Sequence, residues 1–287
     1  MLISSAPFEP HARRMEEKGL HPLQVETFRR HYQRLLQGET GILGRDRIRP
    51  VDDLPHLEDL PQAGEDLKDR VALLNLNGGL GTTMGLTGPK SLLELRDGLT
   101  FLDVLARQVL HHRQVTGGGL PLILMNSFNT SVPTRRALER YPHLKDQQVP
   151  LELMQSQVPR IRVDDLKPVR WPLDPALEWC PPGHGDVYLS LVCSGMLERL
   201  IQQGFGYLFV SNVDNLGAGL DLRIPAWMRS QRVPFLMEVA DRTESDRKGG
   251  HLALRRDGRL VLREVAMCPP EELEDFQDVQ RYRYFNT

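Results

Sequence analysis

The feature that most constrains the fold is a short apolar run that opens into a glycine-rich loop. Residues 71–76 (VALLNL) lead directly into residues 77–81 (NGGLG). A short apolar run that ends at glycine is typical of a buried strand that meets a tight turn. Glycines let a backbone approach a ligand closely, and their N–H groups can bind anionic oxygens. We therefore predict a buried strand with a phosphate-binding loop at its carboxyl end.

Single residues exclude two familiar nucleotide-binding loops in this segment. The dinucleotide pattern G-x-G-x-x-G, begun at Gly79, requires glycine at the position of Met84. The P-loop requires glycine immediately before its lysine, whereas Lys90 follows Pro89, which has no N–H to donate. The loop is therefore of another type, and a glycine-rich turn that binds no ligand is the alternative.

Further apolar runs alternate with helical patterns along the chain. Short apolar runs typical of buried strands occur at residues 120–125, 207–210 and 235–239. Helical spacing of apolar residues occurs at 101–109, 133–140 and 187–203. Thr100 and Asp103 have the spacing of a capping pair for the first of these helices, and the three glycines at 117–119 end it.

This alternation predicts the fold class. Strands separated by helices favour an α/β fold with a mostly parallel sheet flanked by helices. Two apolar runs, 251–255 and 260–265, flank Asp257 and Gly258, which predicts a β-hairpin attached to that core.

Composition excludes several classes of protein and partner. The chain has 287 residues, and its 36 Lys and Arg against 38 Asp and Glu give a net charge of −2. This balance gives no electrostatic reason to expect nucleic acid or an anionic membrane as a partner. No apolar run is long enough to span a bilayer, and the N-terminus lacks the apolar core of a signal peptide. Three scattered cysteines are too few for a disulfide framework, so we expect a reduced, cytoplasmic protein.

We expect the chain to fold as a helical N-terminal segment followed by a core. Leu23, Phe28 and Leu35 follow roughly helical spacing, which predicts a helical N-terminal segment over residues 1–60. The core then extends over residues 61–287. Residues 150–182 contain seven prolines, so we expect a long irregular excursion near a functional surface.

Seven sequence blocks resemble those of the eukaryotic-type UTP–glucose-1-phosphate uridylyltransferases, in the same order along the chain. The blocks are 76–91 (LNGGLGTTMGLTGPKS), 124–130 (LMNSFNT), 155–161 (QSQVPRI), 181–186 (PPGHGD), 211–217 (SNVDNLG), 248–250 (KGG) and 264–266 (EVA). The resemblance implies a Rossmann-like nucleotide-diphosphosugar transferase core. It also implies the reaction of UTP with glucose 1-phosphate to give UDP-glucose and pyrophosphate.

The resemblance further implies which residues bind UTP. Leu76, Asn77, Gly78 and Gly79 would hold the uridine, and Gln155 and Gly183 would read the uracil edge. Backbone groups and an amide side chain can match the donors and acceptors of uracil. A loop glutamine bonded to backbone is the alternative for Gln155.

Two charged residues are the candidates for the chemistry. Lys90 would neutralise the phosphates as negative charge moves to the leaving pyrophosphate, although an ordinary surface lysine is the alternative. Asp214 follows the strand predicted at 207–210, and its carboxylate would hold Mg²⁺ there and contact UTP. A turn-capping aspartate is the alternative for Asp214.

The sugar phosphate has a separate set of candidates. The resemblance assigns binding of glucose 1-phosphate to His184, Asn212, Val213, Gly250, Glu264 and Asn286. No general base is required, because a phosphate monoester has its second pKa near ~6 and is already largely dianionic at neutral pH. A structural histidine is the alternative for His184, and an outward-facing hairpin residue is the alternative for Glu264.

The sequence departs from the family pattern at two places. Gln157 and Val158 stand where the family commonly has Arg and Tyr. The family pattern runs on past Asn-Thr-Asn-Asn to a further phosphate-contacting lysine and a β-helical domain, whereas this sequence stops at Asn286-Thr287. We therefore expect a core truncated at its C-terminal end. A member that binds uridine nucleotide with little turnover, a pyrophosphorylase for another sugar such as N-acetylhexosamine 1-phosphate, and self-association remain further hypotheses.

Overall fold

The computed structural model describes residues 8–62, 65–80 and 88–286 of the chain. The described residues divide into two units. Unit 1 contains residues 8–38, 65–80 and 88–220, and unit 2 contains residues 39–62 and 221–286. Of the segment that we predicted over residues 1–60, the described residues 8–38 lie in unit 1 and 39–60 in unit 2.

The elements follow each other in the order that the alternating sequence pattern indicates. The helices are α1 (Glu9–Glu17), α2 (Pro22–Leu36), α3 (Phe101–Thr116), α4 (Ser131–Ala137), α5 (Val187–Cys193), α6 (Met196–Gln202), α7 (Arg223–Gln231) and α8 (Leu273–Phe276). The strands are β1 (Ile48–Arg49), β2 (Val71–Asn77), β3 (Glu94–Arg96), β4 (Leu99–Thr100), β5 (Leu122–Asn126), β6 (Glu152–Met154), β7 (Val158–Pro159), β8 (Trp179–Cys180), β9 (Tyr207–Asn212), β10 (Val239–Asp241), β11 (His251–Arg255), β12 (Leu260–Arg263) and β13 (Tyr284–Asn286). No helix in the described ranges is both long and apolar enough to cross a membrane.

Unit 1 is built on a parallel sheet with the strand order β6-β5-β2-β9. All three pairings in this sheet are parallel. The predicted α/β fold is therefore confirmed. The chain places β5 on one side of β2 and β9 on the other, so the strand order reverses at β2. The carboxyl end of β2 is the position at which open α/β sheets bind ligands.

Both faces of this sheet are covered, which explains why its strands read as continuous apolar runs. Leu73 of β2 packs against α3 on one face. Ala72 and Leu74 pack against α5 and α6 on the other face. Full burial of a leucine side chain stabilises a fold by about 1.5–3 kcal/mol. The strands of this sheet are thus fixed in place from both sides.

The predicted boundaries of the helix that follows the glycine loop are confirmed. The side chains and backbone N–H groups of Thr100 and Asp103 bond reciprocally as a capping box at the start of α3. Gly117 ends the helix in the left-handed region, with φ of +64°.

Three predicted elements differ from the structure. The single helix predicted at 187–203 is two helices, because Gly195 adopts a φ of +73° between α5 and α6. The helix predicted at 133–140 is α4 followed by a 3₁₀ turn over Leu138–Arg140. The strand predicted at 235–239 begins only at Val239, where pairing with β13 starts.

Helices α1 and α2 pack within unit 1 onto the proline-rich excursion. Met15 and Tyr32 are buried in one cluster with Leu166 and Trp179. The buried side chain of Arg14 forms an ion pair with Glu178 in the same region. The N-terminal helices thus support the segment that leads into residues 181–186.

Unit 2 contains the predicted hairpin. Strands β11 and β12 pair antiparallel around Gly258, which has a φ of +81°, so this prediction is confirmed. Strand β1 extends the pair to a three-stranded sheet, and β10 pairs separately with β13.

Candidate functional site

Four stretches of predicted functional residues meet at one edge of unit 1, because the strands before them are parallel. Strand β2 ends at Asn77, directly before Gly78, β5 ends at Asn126, β6 just before Gln155, and β9 at Asn212. The carboxyl ends of neighbouring parallel strands lie side by side. Residues that are far apart in the sequence are thereby brought to one edge of the sheet.

Three of the predicted uridine-binding residues form a single cluster. The side chain of Gln155 is buried, and its Nε2 donates to the carbonyl oxygen of Gly183 at 2.5 Å. A Cβ atom at Gly78 would collide with Gln155 Oε1, so any larger residue there would have to displace the Gln155 amide. Gly183 adopts a φ of +108°, which favours glycine. The sequence block at 181–186 and the glycine loop therefore converge on one glutamine.

Two residues that sequence reasoning did not single out hold this cluster. The carbonyl oxygen of Asn126 accepts from the backbone N–H of Gln155 at 2.7 Å. The hydroxyl of Ser127 donates to the carbonyl oxygen of Gly78 at 2.8 Å. Both residues lie in the block 124–130, so the sequence gave a signal for the segment but not for these roles.

The predicted role of Asn77 is limited by the position of its side chain. Asn77 is buried, and its Nδ2 donates to Asn126 Oδ1 at 2.7 Å and to Thr134 Oγ1 at 2.9 Å. The side-chain donors of Asn77 are thus engaged within unit 1.

The glycine loop is closed at its base. Leu80 and Pro89 form an isolated antiparallel bridge, and the N–H of Lys90 lies 3.4 Å from the carbonyl oxygen of Gly79. Gly79 itself is exposed and has open space where a Cβ would stand. Residues 81–87 of this predicted loop lie outside the described residues. The bridge places Lys90 directly beside the start of the loop.

Lys90 and Asp214 lie together at the switch point between β2 and β9. Lys90 Nζ forms an ion pair with Asp214 Oδ2, and both side chains are partly exposed. Strand β9 delivers Asp214, and Val213 N–H bonds the carbonyl oxygen of Leu76 at 3.2 Å. The two residues predicted to carry the chemistry are therefore in direct contact.

The residues present fit a magnesium ion that shares its ligands with a substrate. In the described part of the chain, no group of three or more His, Cys, Asp or Glu side chains could hold a metal ion. Mg²⁺ does not need such a cage, because it commonly binds one or two carboxylates together with substrate phosphates and waters. A partly exposed Asp214 at the end of a parallel strand meets that requirement.

The predicted sugar-phosphate residues of unit 1 lie on two segments. His184 is exposed on a 3₁₀ turn, His184–Asp186, and Asn212 is partly buried at the end of β9. The side chain of Val213 is buried in the core cluster that contains α3, so only its backbone is available to a ligand.

Asp186 is a further residue that sequence reasoning missed. Its buried carboxylate accepts from the backbone N–H of Ser156 at 2.7 Å and from Ser190 Oγ at 2.6 Å. Ser156 directly follows Gln155, and Asp186 ends the turn that carries His184. One carboxylate therefore ties the predicted uracil-reading residue to the predicted sugar-phosphate residue.

The remaining predicted sugar-phosphate residues lie in unit 2. A Cβ atom at Gly250 would stand 2.7 Å from the Glu264 carboxylate, so glycine lets that carboxylate lie against the backbone. Glu264 is exposed. Asn286 is partly buried on β13, opposite Val239.

The three thiols are not candidate nucleophiles. Cys180, Cys193 and Cys268 are free. Burial raises the pKa of each thiol above its usual value. Because the thiolate is the reactive form, these cysteines are poorly suited to covalent catalysis at neutral pH.

Unit 1 also contains a cavity on the side of Asn126 and Glu152. It has a volume of about 910 Å³ and lies beside β6, with Leu124, Asn126, Arg135, Leu151 and Glu152 among its lining residues. None of the predicted site residues lines it.

Comparison with known proteins identifies a family. The family model for UTP–glucose-1-phosphate uridylyltransferase matches residues 25–287. A probable UTP–glucose-1-phosphate uridylyltransferase of Schizosaccharomyces pombe is 45% identical over 223 residues, which is 77% of this chain and 44% of the relative. UTP–glucose-1-phosphate uridylyltransferase 2 of Dictyostelium discoideum is 40% identical over 271 residues, which is 92% of this chain and 53% of the relative. The chain spans about half the length of these curated relatives.

Solved structures agree with this assignment. A UDP-glucose phosphorylase of Trypanosoma brucei has a TM-score of 0.93 at 44% identity, and the match covers 98% of this chain and 61% of that one. A variant of UDP-glucose pyrophosphorylase from Leishmania major in complex with UDP-glucose has a TM-score of 0.91 at 44% identity, with 99% and 62% covered.

Proposed function

The chain belongs to the UTP–glucose-1-phosphate uridylyltransferase family, and we propose that it transfers the uridylyl group of UTP to glucose 1-phosphate, giving UDP-glucose and pyrophosphate. The observation that carries the proposal is the meeting of Gly78, Gln155 and Gly183 at the same sheet edge as the Lys90–Asp214 pair. A base-reading cluster and a charged pair for phosphates are the two parts that nucleotidyl transfer needs.

The amide of Gln155 has an orientation that suits uracil. Its Nε2 donates to the Gly183 carbonyl, so Oε1 is the acceptor end of the amide. Uracil presents an N–H donor at N3, whereas cytosine presents an acceptor at the same position. An acceptor placed there would bind UTP and repel CTP, because a mismatched base leaves buried polar groups unpaired. We expect UTP to be preferred over CTP, measured as the ratio of kcat/KM.

The reaction is an in-line displacement at the α-phosphorus of UTP. An oxygen of the sugar phosphate forms the new P–O bond, and the bond between the α-phosphorus and the α,β-bridging oxygen breaks. The electron pair of the broken bond leaves with pyrophosphate. Because the attacking phosphate is already largely dianionic, positioning and charge stabilisation dominate over proton transfer.

Each charged residue has a role in this scheme. Lys90 would neutralise the phosphates as charge moves to pyrophosphate. Asp214 would hold Mg²⁺, which supplies further charge neutralisation at the triphosphate when it is bound. Lys90 and Asp214 form an ion pair with each other, so their charges are mutually neutralised. We infer that substrate and metal separate this pair, and that His184 and Asn212 bind the sugar phosphate.

The test is the exchange of labelled pyrophosphate into UTP, with UDP-glucose and Mg²⁺ supplied. We expect exchange that depends on both additions. A folded chain that shows no exchange contradicts the proposal. Calorimetric binding of UTP without exchange favours the alternative of a nucleotide-binding member with little turnover.

Free thiols are consistent with a reducing cytoplasmic location, which is part of the proposal.

Lys90→Ala tests the charge on the phosphates. Removal of one group that stabilises developing charge typically lowers kcat by about 10²–10³-fold. Lys145 is an exposed lysine of the same unit, and Lys145→Ala is the matched control. Equal rates for the two variants would refute the role assigned to Lys90.

Gly250→Ala tests the sugar-phosphate role that the family resemblance implies for Gly250 and Glu264. The new methyl group displaces the Glu264 carboxylate, so we expect the KM for glucose 1-phosphate to rise about tenfold while the KM for UTP is unchanged. The control is the same change in a Glu264→Ala background, where it should have no further effect. A further tenfold rise in that background would show that Gly250 does not act through Glu264.

A further inference from the structure

We propose that Asn126 is a positioning residue for the base-reading cluster and that a one-way chain of hydrogen bonds from Glu152 fixes its orientation. The chain runs from Glu152 through Asn126 to Asn77, the last residue of β2. The inference rests on the proposed function only in naming UTP as the ligand whose binding it serves.

The chain crosses three neighbouring strands. Asn126 Nδ2 donates to Glu152 Oε1 at 2.7 Å. Asn77 Nδ2 donates to Asn126 Oδ1 at 2.7 Å. Asn77 and Asn126 are register partners in β2 and β5, and both are almost fully buried. The strand pairing therefore places the three side chains in contact.

The carboxylate at one end decides the direction of every bond in the chain. An ionised carboxylate can only accept, so Asn126 must present Nδ2 to Glu152. Its Oδ1 then faces Asn77, which must in turn present Nδ2. Thr134 Oγ1 accepts from the same nitrogen at 2.9 Å. With a neutral group at position 152, both orientations of the two amides would be allowed.

Asn126 also controls the cluster through its backbone. Its carbonyl oxygen accepts from Gln155 N–H, and the next residue, Ser127, bonds the Gly78 carbonyl. The Asn126 side chain therefore acts on Gly78 through Asn77, which directly precedes Gly78, while the backbone of Asn126 and Ser127 holds Gln155 and Gly78 from the other side. Because Gln155 Oε1 lies against Gly78, a shift of Gly78 moves the base-reading amide as well.

The experiment exchanges the donor and the acceptor at one bond. Asn126→Asp sets two carboxylates against each other and removes the donor to Glu152. The double variant Asn126→Asp/Glu152→Gln restores one donor and one acceptor at that bond, and position 126 still accepts from Asn77. Two readouts are measured for each variant: UTP affinity by calorimetry, and amide hydrogen exchange over residues 76–80 without nucleotide.

We expect Asn126→Asp to weaken UTP binding at least tenfold and to speed exchange over residues 76–80. Glu152→Gln, which allows both amide orientations, should weaken UTP binding by between threefold and tenfold, and the double variant should recover to within threefold. A Glu152→Gln variant within threefold of the unaltered chain, or a double variant no better than Asn126→Asp, overturns the proposal. If Asn126→Asp does not fold, the double variant must still fold and bind UTP within the same threefold limit, and its failure overturns the proposal equally.

A matched control separates positioning from general destabilisation. Asn75 is a second buried asparagine on β2, and its Nδ2 donates to Ser211 Oγ at 2.8 Å. Asn75→Asp should lower the unfolding midpoint but leave UTP affinity within threefold. An equal loss of affinity in this control would contradict a specific role for Asn126. An unaltered chain that binds no UTP contradicts the proposed function, whereas the exchange readout still tests the hydrogen-bond chain.

Discussion

His251 makes the stability of unit 2 depend on pH. The side chain is fully buried at the start of β11 and stacks on Tyr282 at 3.9 Å. The pKa of His251 is lowered from 6.5 to about 3, mainly by burial. A hydrogen bond with the Leu252 carbonyl raises this pKa, whereas the positive charges of Arg242 and Arg263 lower it further. The imidazole is therefore neutral in the folded chain throughout the mildly acidic range.

The sign and size of the effect follow from this difference in pKa. Between pH 6.5 and about 3 the unfolded chain binds a proton at His251 that the folded chain does not, so stability falls as the pH falls. One such proton changes the free energy of unfolding by about 1.4 kcal/mol per pH unit. Between about pH 7 and about pH 5 the free energy of unfolding falls by about 2 kcal/mol because of His251.

The variant His251→Phe removes the titration and keeps an aromatic ring against Tyr282. Both proteins should carry Trp171→Phe and Trp179→Phe, so that fluorescence of Trp227 reports unit 2 alone. Urea unfolding at about pH 7 and about pH 5 then gives two free energies for each protein. We expect the protein with His251 to lose about 2 kcal/mol more than the variant between the two values. Equal losses would refute a neutral, buried His251.

Two further predictions concern unit 1. Gly78→Ala should weaken UTP binding at least tenfold, measured by calorimetry, because the new methyl group collides with Gln155 Oε1. Gly219→Ala is the control and should leave UTP binding unchanged, because a Cβ atom there meets only open space. Asp186→Ala should raise the KM for both substrates, because Ser156 N–H loses its buried acceptor at a cost of about 1–3 kcal/mol. Asp186→Asn keeps an acceptor oxygen and should recover most of the loss; steady-state kinetics that show no difference between the Ala and Asn variants would contradict this role.

The strands of unit 1 could be predicted from the sequence because the parallel sheet is covered on both faces. Continuous burial leaves continuous apolar runs such as 71–76, and glycine marks where the runs end. The separation of α5 from α6 could not be predicted. An isolated glycine inside a helical pattern is compatible with an unbroken helix, and only the φ of Gly195 reveals the break.

The sequence can indicate candidate-site residues where a residue type has a direct chemical use. Lys90 and Asp214 carry charges suited to phosphates and magnesium, and the structure brings them into contact. Asp186 was not predictable in the same way, because its carboxylate bonds a backbone N–H of a distant segment. Such a bond depends on how the turn at 184–186 packs, which no local pattern records.

Asn126 shows most clearly what a sequence lacks. An amide has a donor end and an acceptor end, and an isolated asparagine gives no indication of which end faces which neighbour. The orientation is decided by Glu152, 26 residues further along the chain, and only because β5 and β6 pair in parallel with Leu124 opposite Glu152. A shift of one residue in that register would send the Glu152 side chain to the other face of the sheet. In our proposal, the positioning of the cluster of Gly78, Gln155 and Gly183 therefore depends on strand register, and changes that preserve every residue near Gln155 can still disturb it.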